Sequence, residues 1–248
     1  MTVFSRGKGL SVIGFDADDT LWQNEYFFRL TEERFAALLS DYADSGHITE
    51  KLLAAERRNL QYYGYGIKGF TLSMIETAVE VTEDRVPAAL LHDILRAGRE
   101  MLRHPIETLP HVRETLTELS GRYRLVLISK GDLFDQERKL AQSGLGELFD
   151  DIQIVSEKTT ATYARIFNHA GLTPGASMMV GNSLKSDIIP AIEAGSHGVY
   201  IPHDLTWVHE HAEAPDGHSR FHTLAHLGEL PALIDRLEGI IRGRTSQV

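Results

Sequence analysis

Val12-Ile13-Gly14-Phe15-Asp16-Ala17-Asp18-Asp19-Thr20 is the stretch on which the reading of this chain turns. It opens as a short apolar run with the composition of a buried strand and ends in three carboxylates within four residues. Like charges at such spacing repel, and the repulsion calls for a compensating cation. A hard ion with oxygen ligands, such as Mg²⁺, is the natural one. Taken alone, the same aspartates could cap a helix or form a turn. The decision between these rests on what the rest of the chain supplies.

Outward from this strand, the pattern changes twice. From Trp22 to about Arg103 apolar residues recur at helical spacing, as in Tyr26, Phe27, Leu30, Phe35, Leu38 and Leu39. Further helices are predicted over 49–60, with Thr49 as N-cap, and over 71–81 and 87–102, with Pro87 in a first turn. After Pro110 short apolar segments alternate with helical ones. Strands are predicted at 125–128, 152–155, 178–180 and 199–201, and helices at 133–142, 160–170, 186–194 and 230–241. Such alternation implies an α/β fold whose parallel sheet is covered on both faces. Sites in these sheets lie beyond the carboxyl ends of the strands. The residues to inspect there are Asp16, Ser129, Lys158, and Asn182 with Asp187.

Each of these has an ordinary reading and a chemical one. Ser129, followed by Lys130, Gly131 and Asp132, is either a plain helix cap or a phosphate cradle built from a hydroxyl and backbone N–H groups. Lys158 is either a solvated lysine or a buried cation. Gly181-Asn182-Ser183-Leu184-Lys185-Ser186-Asp187 is either a capping loop or an oxygen-rich ligand loop. The cluster Tyr62-Tyr63-Gly64-Tyr65-Gly66-Ile67-Lys68 offers rings and a cation to a substrate, or packs among its own helices.

Taken together and in this order, the four segments resemble the motifs of the haloacid dehalogenase superfamily. The resemblance includes Asp-x-Asp-x-Thr, the serine after the second strand, the distant lysine and a Gly-Asp-Ser-Leu-x-x-Asp-like loop. It extends to Asp135-Gln136-Glu137-Arg138-Lys139-Leu140 and Ala191-Ile192-Glu193-Ala194-Gly195. It implies a Rossmann-like, doubly wound core formed by residues 1–21 and 105–248, with an α-helical cap of the first type inserted as residues 22–104. It implies Asp16 as nucleophile, Asp18 as general acid and base, and Ser129 and Lys158 as further catalytic groups. Phosphate would be held by Ser129, Lys130, Gly131 and Lys158. Mg²⁺ would be held by Asp16, the Asp18 carbonyl, and Asn182 or Asp187. The chain departs from the pattern at Asn182, where Asp is usual, and at Lys130, where Asn is common.

The implied activity is a Mg²⁺-dependent phosphatase acting on a small phosphomonoester through an aspartyl-phosphate. Phosphomutase, 2-haloacid dehalogenase and non-catalytic binding protein stand as alternatives on the same fold. A haloacid's halide leaves without a proton, so dehalogenases do not need the carboxylate that Asp18 supplies.

Composition sets outer bounds. The net charge of −10 with no Lys/Arg run disfavours nucleic acid and anionic lipid as partners. The absence of cysteine excludes disulfides, thiolate zinc sites and a cysteine nucleophile. No run approaches the roughly 20 apolar residues of a membrane span, and a cytoplasmic location, with a homodimer as one assembly option, is the expectation. Among His203, His209, His211, His218, His222 and His226, His222 stands at i, i+4 from His226 and equally from His218, and the set reads as solvated tail histidines rather than a metal site.

Overall fold

The computed structural model describes residues 9–168, 175–205, 207, 210 and 212–245. The chain divides into two compact units, one comprising 1–23, 107–129 and 143–248, the other 24–106 and 130–142.

The first unit is built on a six-stranded sheet: β1 (Val12–Phe15), β2 (Arg124–Lys130), β3 (Asp151–Val155), β4 (Ser177–Gly181), β5 (His197–Tyr200) and β6 (Phe221–Thr223), in the order β3-β2-β1-β4-β5-β6. The pairings of β1 with β2 and β4, of β4 with β5 and of β5 with β6 are all parallel. The strand order reverses direction between β1 and β4. That is the topological switch point at which doubly wound sheets open a crevice, and Asp16 follows directly from β1 there. Both central strands are apolar on both faces: Val12, Ile13 and Phe15, and Met178, Met179 and Val180, are buried. That is the signature of a parallel sheet with helices on each side. These helices include α5 (Val112–Ser120), α7 (Thr160–Asn168), α8 (Ile189–Glu193) and α9 (Leu230–Thr245). Val12, Val126, Ile128, Tyr163, Phe167, Met179 and Ala191 form one cluster of this core.

The second unit contains α1 (Glu25–Leu38), α2 (Ser45–Tyr63), α3 (Ile67–Val81), α4 (Ala88–Arg103) and α6 (Leu133–Ser143), the last residue of α6 lying at the division. It has its own core, made of Phe35, Leu39, Ile48, Leu52, Ile67, Phe70, Met74, Ile94 and their neighbours. α4 shows how the sequence achieves this. Leu90, Ile94, Ala97 and Met101 fall on one stripe and are all buried. α6 is tied to this unit by Lys139, whose ammonium donates to Asn24 Oδ1 at 2.8 Å, and by Lys68, which pairs with Asp132 at 2.9 Å.

Several expected boundaries move. The helix expected from Thr49 begins at Ser45, because Asp44 caps it by accepting from the His47 N–H at 3.0 Å. Pro87 stands at the N-cap position rather than inside the first turn. β2 runs on through Ser129 to Lys130. The expected helix 186–194 is a wide π-helical turn, Leu184–Ile188, followed by the short α8. The end of the expected helix 160–170 lies outside the described residues, as do His209 and His211. β6 and α5 have no counterpart in the sequence reading. No helix among the described residues is long and apolar enough to cross a membrane.

Gly14 shows how tightly the sheet is packed. A Cβ there would lie 2.8 Å from Ile128 Cδ1 and 3.1 Å from both Met179 Sδ and Phe167 Cζ. Gly14→Ala therefore overpacks the core beside β1 and is expected to cost about 1–3 kcal/mol. Urea unfolding of the variant beside the parent measures it directly.

Candidate active site

Asp16 follows β1 as a buried carboxylate, and its backbone N–H donates to the Val180 carbonyl of β4 at 2.9 Å. Lys158 lies beyond β3, almost wholly buried. Its ammonium donates to Asp16 Oδ1 in a very short contact and to Asp187 Oδ1 at 2.7 Å. Asp187, 1% exposed, sits in the π-helical turn after β4. Its second oxygen accepts the Ser183 backbone N–H at 3.0 Å. One cation is thus shared by two buried carboxylates, each from a loop after a different strand.

The electrostatics follow from that count. Burial, followed by repulsion from Asp187, raises the Asp16 carboxyl to about 7, and the attraction of Lys158 only partly offsets this. For Lys158 burial works against the charge. The two carboxylates outweigh it and hold the ammonium above its ordinary range. The cluster is therefore short of positive charge.

Thr20 links this group to the next ligand candidate. Its hydroxyl lies 3.1 Å from Asp16 Oδ2 and 3.3 Å from Asn182 Oδ1, so one proton is shared between two acceptors. Gly181, just before Asn182, must lack a side chain. A Cβ there would fall 2.3 Å from Asp187 Oδ2. Asp18 is half-buried, and its Oδ1 accepts the Trp22 indole N–H at 2.8 Å. The turn between them places Asp19 at φ +59°, in the left-handed region that Asp tolerates better than most residues. Tyr163, fully buried on α7, donates its hydroxyl to the Ser186 carbonyl at 2.9 Å and backs the Asp187 turn.

The structure thus brings Asp16, Lys158 and Asp187 into direct contact and joins Asn182 to Asp16 through Thr20. Ser129 is 1% exposed on β2. Phe15 pairs with Leu127, which sets Ser129 one position further along its strand than Asp16 is along β1. Lys130 and Gly131 follow in the chain but group with the helical unit. The Lys130 ammonium lies there 4.2 Å from the centroid of the Tyr65 ring, a cation–π contact. Tyr62 and Tyr63 are exposed rather than packed among the helices. Among the described residues, no three His, Cys, Asp or Glu side chains form a ready metal cage. His222 is not a solvated tail residue, since it lies in β6 with its Nε2 3.1 Å from His197 Nδ1. The His226 ring lies 4.6 Å from the His111 ring, tilted by 32°.

Three residues near the site escaped the sequence reading, and a fourth, His203, stood there as a solvated tail histidine. Trp22 carries a signal in its i+4 spacing from Asp18, and Tyr163 in its position five residues after Lys158. His203, with Nε2 3.7 Å from Asp19 Oδ1, and Glu210, which accepts hydrogen bonds from Ser183 and Ser186, carry none, because their partners are distant in sequence.

Residues 10–195 match the family described as haloacid dehalogenase-like hydrolase. The glyceraldehyde 3-phosphate phosphatase of Methanothermobacter thermautotrophicus is 28% identical over 79% of this chain and 88% of its own length. The mouse N-acylneuraminate-9-phosphatase is 30% identical over 134 residues, about half of each protein. The crystal structure of a haloacid dehalogenase-like family hydrolase from Xanthomonas campestris superposes with a TM-score of 0.84 at 40% identity, covering 94% of this chain and 98% of that one. With the doubly wound sheet, its switch-point aspartate and a match over residues 10–195, the chain belongs to the haloacid dehalogenase-like hydrolase family, and it is a hydrolase.

Proposed function

We propose that this hydrolase is a Mg²⁺-dependent phosphatase that cleaves a small phosphomonoester through an aspartyl-phosphate on Asp16. The observation that carries this reading is the shared Lys158. Two buried carboxylates and one ammonium leave a deficit of positive charge beside the Asn182 amide oxygen. A hard divalent ion that takes one or two carboxylates, a few neutral oxygens and several waters fits that donor set. Asp16, the Asp18 carbonyl and Asn182 would hold it, with Asp187 close by. When bound, Mg²⁺ supplies charge neutralisation for the phosphoryl oxygens and the nucleophile. The phosphatases among the relatives support the same reaction class.

The chain's own residues divide the remaining work. Asp16, ionised and held by Lys158, attacks phosphorus in line, forms the acyl phosphate and expels the alcohol. Asp18 gives that alcohol its proton, then takes one from the water that cleaves the intermediate. The hydrogen bond from Trp22 fixes the Asp18 carboxyl for both transfers. Ser129 and the backbone N–H groups after it bind phosphoryl oxygens, and Lys130 and Gly131 extend that cradle. Lys158 draws Asp16 toward its ionised form, partly offsetting the effect of burial and of Asp187, and the proposed cation would complete that shift. Residues 22–104 act as a cap domain that selects the leaving group, with Tyr65 and Lys130 as the first residues to test. The partner is then a small phosphorylated metabolite, handled in the cytoplasm.

Three outcomes test this. In a folded Asp16→Asn protein, phosphate release should fall by at least about 10³-fold, and near-normal turnover would end the proposal. Asn182→Asp restores a negative ligand, so Mg²⁺ should saturate activity at a severalfold lower concentration. An unchanged or weaker requirement would remove Asn182 from the ligand set. Asp18→Ala should slow an alkyl phosphate by about 10²–10⁴-fold but an aryl phosphate far less, because phenolates leave without protonation. Halide release from a 2-haloacid that survives Asp18→Ala, with no phosphate release from any ester, would move the enzyme to the dehalogenases. Interconversion of sugar phosphate isomers without free phosphate would make it a mutase.

A further inference from the structure

The segment after β5 contributes side chains to the site from a part of the chain that carries none of the four motifs. Glu210, whose N–H donates to the Trp207 carbonyl at 2.8 Å, places Oε2 against two hydroxyls. Ser186 Oγ donates to it at 2.5 Å, and Ser183 Oγ donates in a shorter contact. Ser183 Oγ also accepts the Ser186 N–H at 2.9 Å. Its single proton is therefore committed to Glu210. One carboxylate oxygen thus gathers both serines of the Asn182–Asp187 loop.

The loop so gathered is an unusual one. The N–H groups of Asp187 and Ile188 both donate to the Ser183 carbonyl, at 2.9 and 3.2 Å, which opens the turn to π-helical width. Such turns are less well bonded than α-helix and recur at functional sites. Ser183 anchors this one at three atoms. Its N–H holds Asp187 Oδ2, its carbonyl holds the turn, and its hydroxyl holds Glu210. Asn182 precedes it, aimed at Thr20, and Asp187 ends it, aimed at Lys158. The same segment also reaches the other aspartate turn through His203, 3.7 Å from Asp19.

We infer that Glu210 is a positioning residue of the active site. By accepting from Ser183 and Ser186 it holds the wide turn in the shape that presents Asn182 and Asp187 to the cation site. The part of this inference concerning the metal rests on the function proposed above; the part concerning the turn does not.

The test uses the full chain, with Glu210→Ala and Glu210→Gln, and two readouts. Hydrogen–deuterium exchange reports the order of residues 183–188. Calorimetric titration with MgCl₂, without substrate, reports the cation site. Glu210→Ala should speed exchange at 183–188 by at least about tenfold while the β1 and β4 amides stay protected, and should weaken Mg²⁺ binding by at least about fivefold. Glu210→Gln keeps an acceptor oxygen and should recover part of both. Unchanged exchange at 183–188 in the Ala variant overturns the inference whatever the metal does. Faster exchange with unchanged Mg²⁺ affinity overturns the positioning role toward the cation. Faster exchange in a protein whose parent form binds no Mg²⁺ supports the hold on the turn and instead removes the proposed metal dependence. Should Glu210→Ala fail to fold, Ser186→Ala, which removes one of the two donors, is read on the same two scales.

Discussion

A single ammonium group holds the carboxyl end of the sheet together. Lys158 reaches Asp16 after β1 and Asp187 after β4, so the two strands that flank the switch point are joined through its side chain. Neither carboxylate could be buried this deeply without it, since an unpaired buried charge costs several kcal/mol. The three charges do not play equal parts. Removing the lysine would leave two facing anions, and removing either acid would leave the other with a full ionic partner and no remaining charge deficit. That incomplete compensation is what the cation proposed above would make good.

The packing around the trio supports it by exclusion. Gly181 gives its side-chain volume to Asp187, Tyr163 stacks behind the turn on Phe167, and Thr20 spends its one proton between Asp16 and Asn182. These contacts act on orientation more than on affinity. A carboxylate in a low-dielectric pocket gains from each fixed donor aimed at it, and loses much of that gain if the donor can swing away.

The sequence made the fold legible wherever hydrophobic pattern and chain order agreed. The strands around Ile13, Leu127 and Met179 announce themselves as apolar runs, and the carboxylates and lysine that end them mark one edge of the sheet. What the sequence could not show falls into two kinds. β6 is three residues long and carries a histidine whose partner, His197, lies 25 residues away, so no local period marks it. The wide turn at 184–188 reads as ordinary helix because its residues are ordinary helix formers; Ser183, accepting two N–H groups at once, decides its shape. Glu210 belongs with these, as its role depends on serines 24 and 27 residues away. The boundary at Asp44 was open to reading, since Asp is as good a cap as Thr49.

The two hydrophobic clusters share no residue. Phe35, Met74 and Ile94 belong to one, Ile128, Phe167 and Met179 to the other. A cavity opened in the first therefore removes no side chain from the second. In this chain that independence is incomplete, because the segment 130–142, continuous with β2, packs with the helices. A substitution there bears at once on the end of that strand and on the packing of the helices.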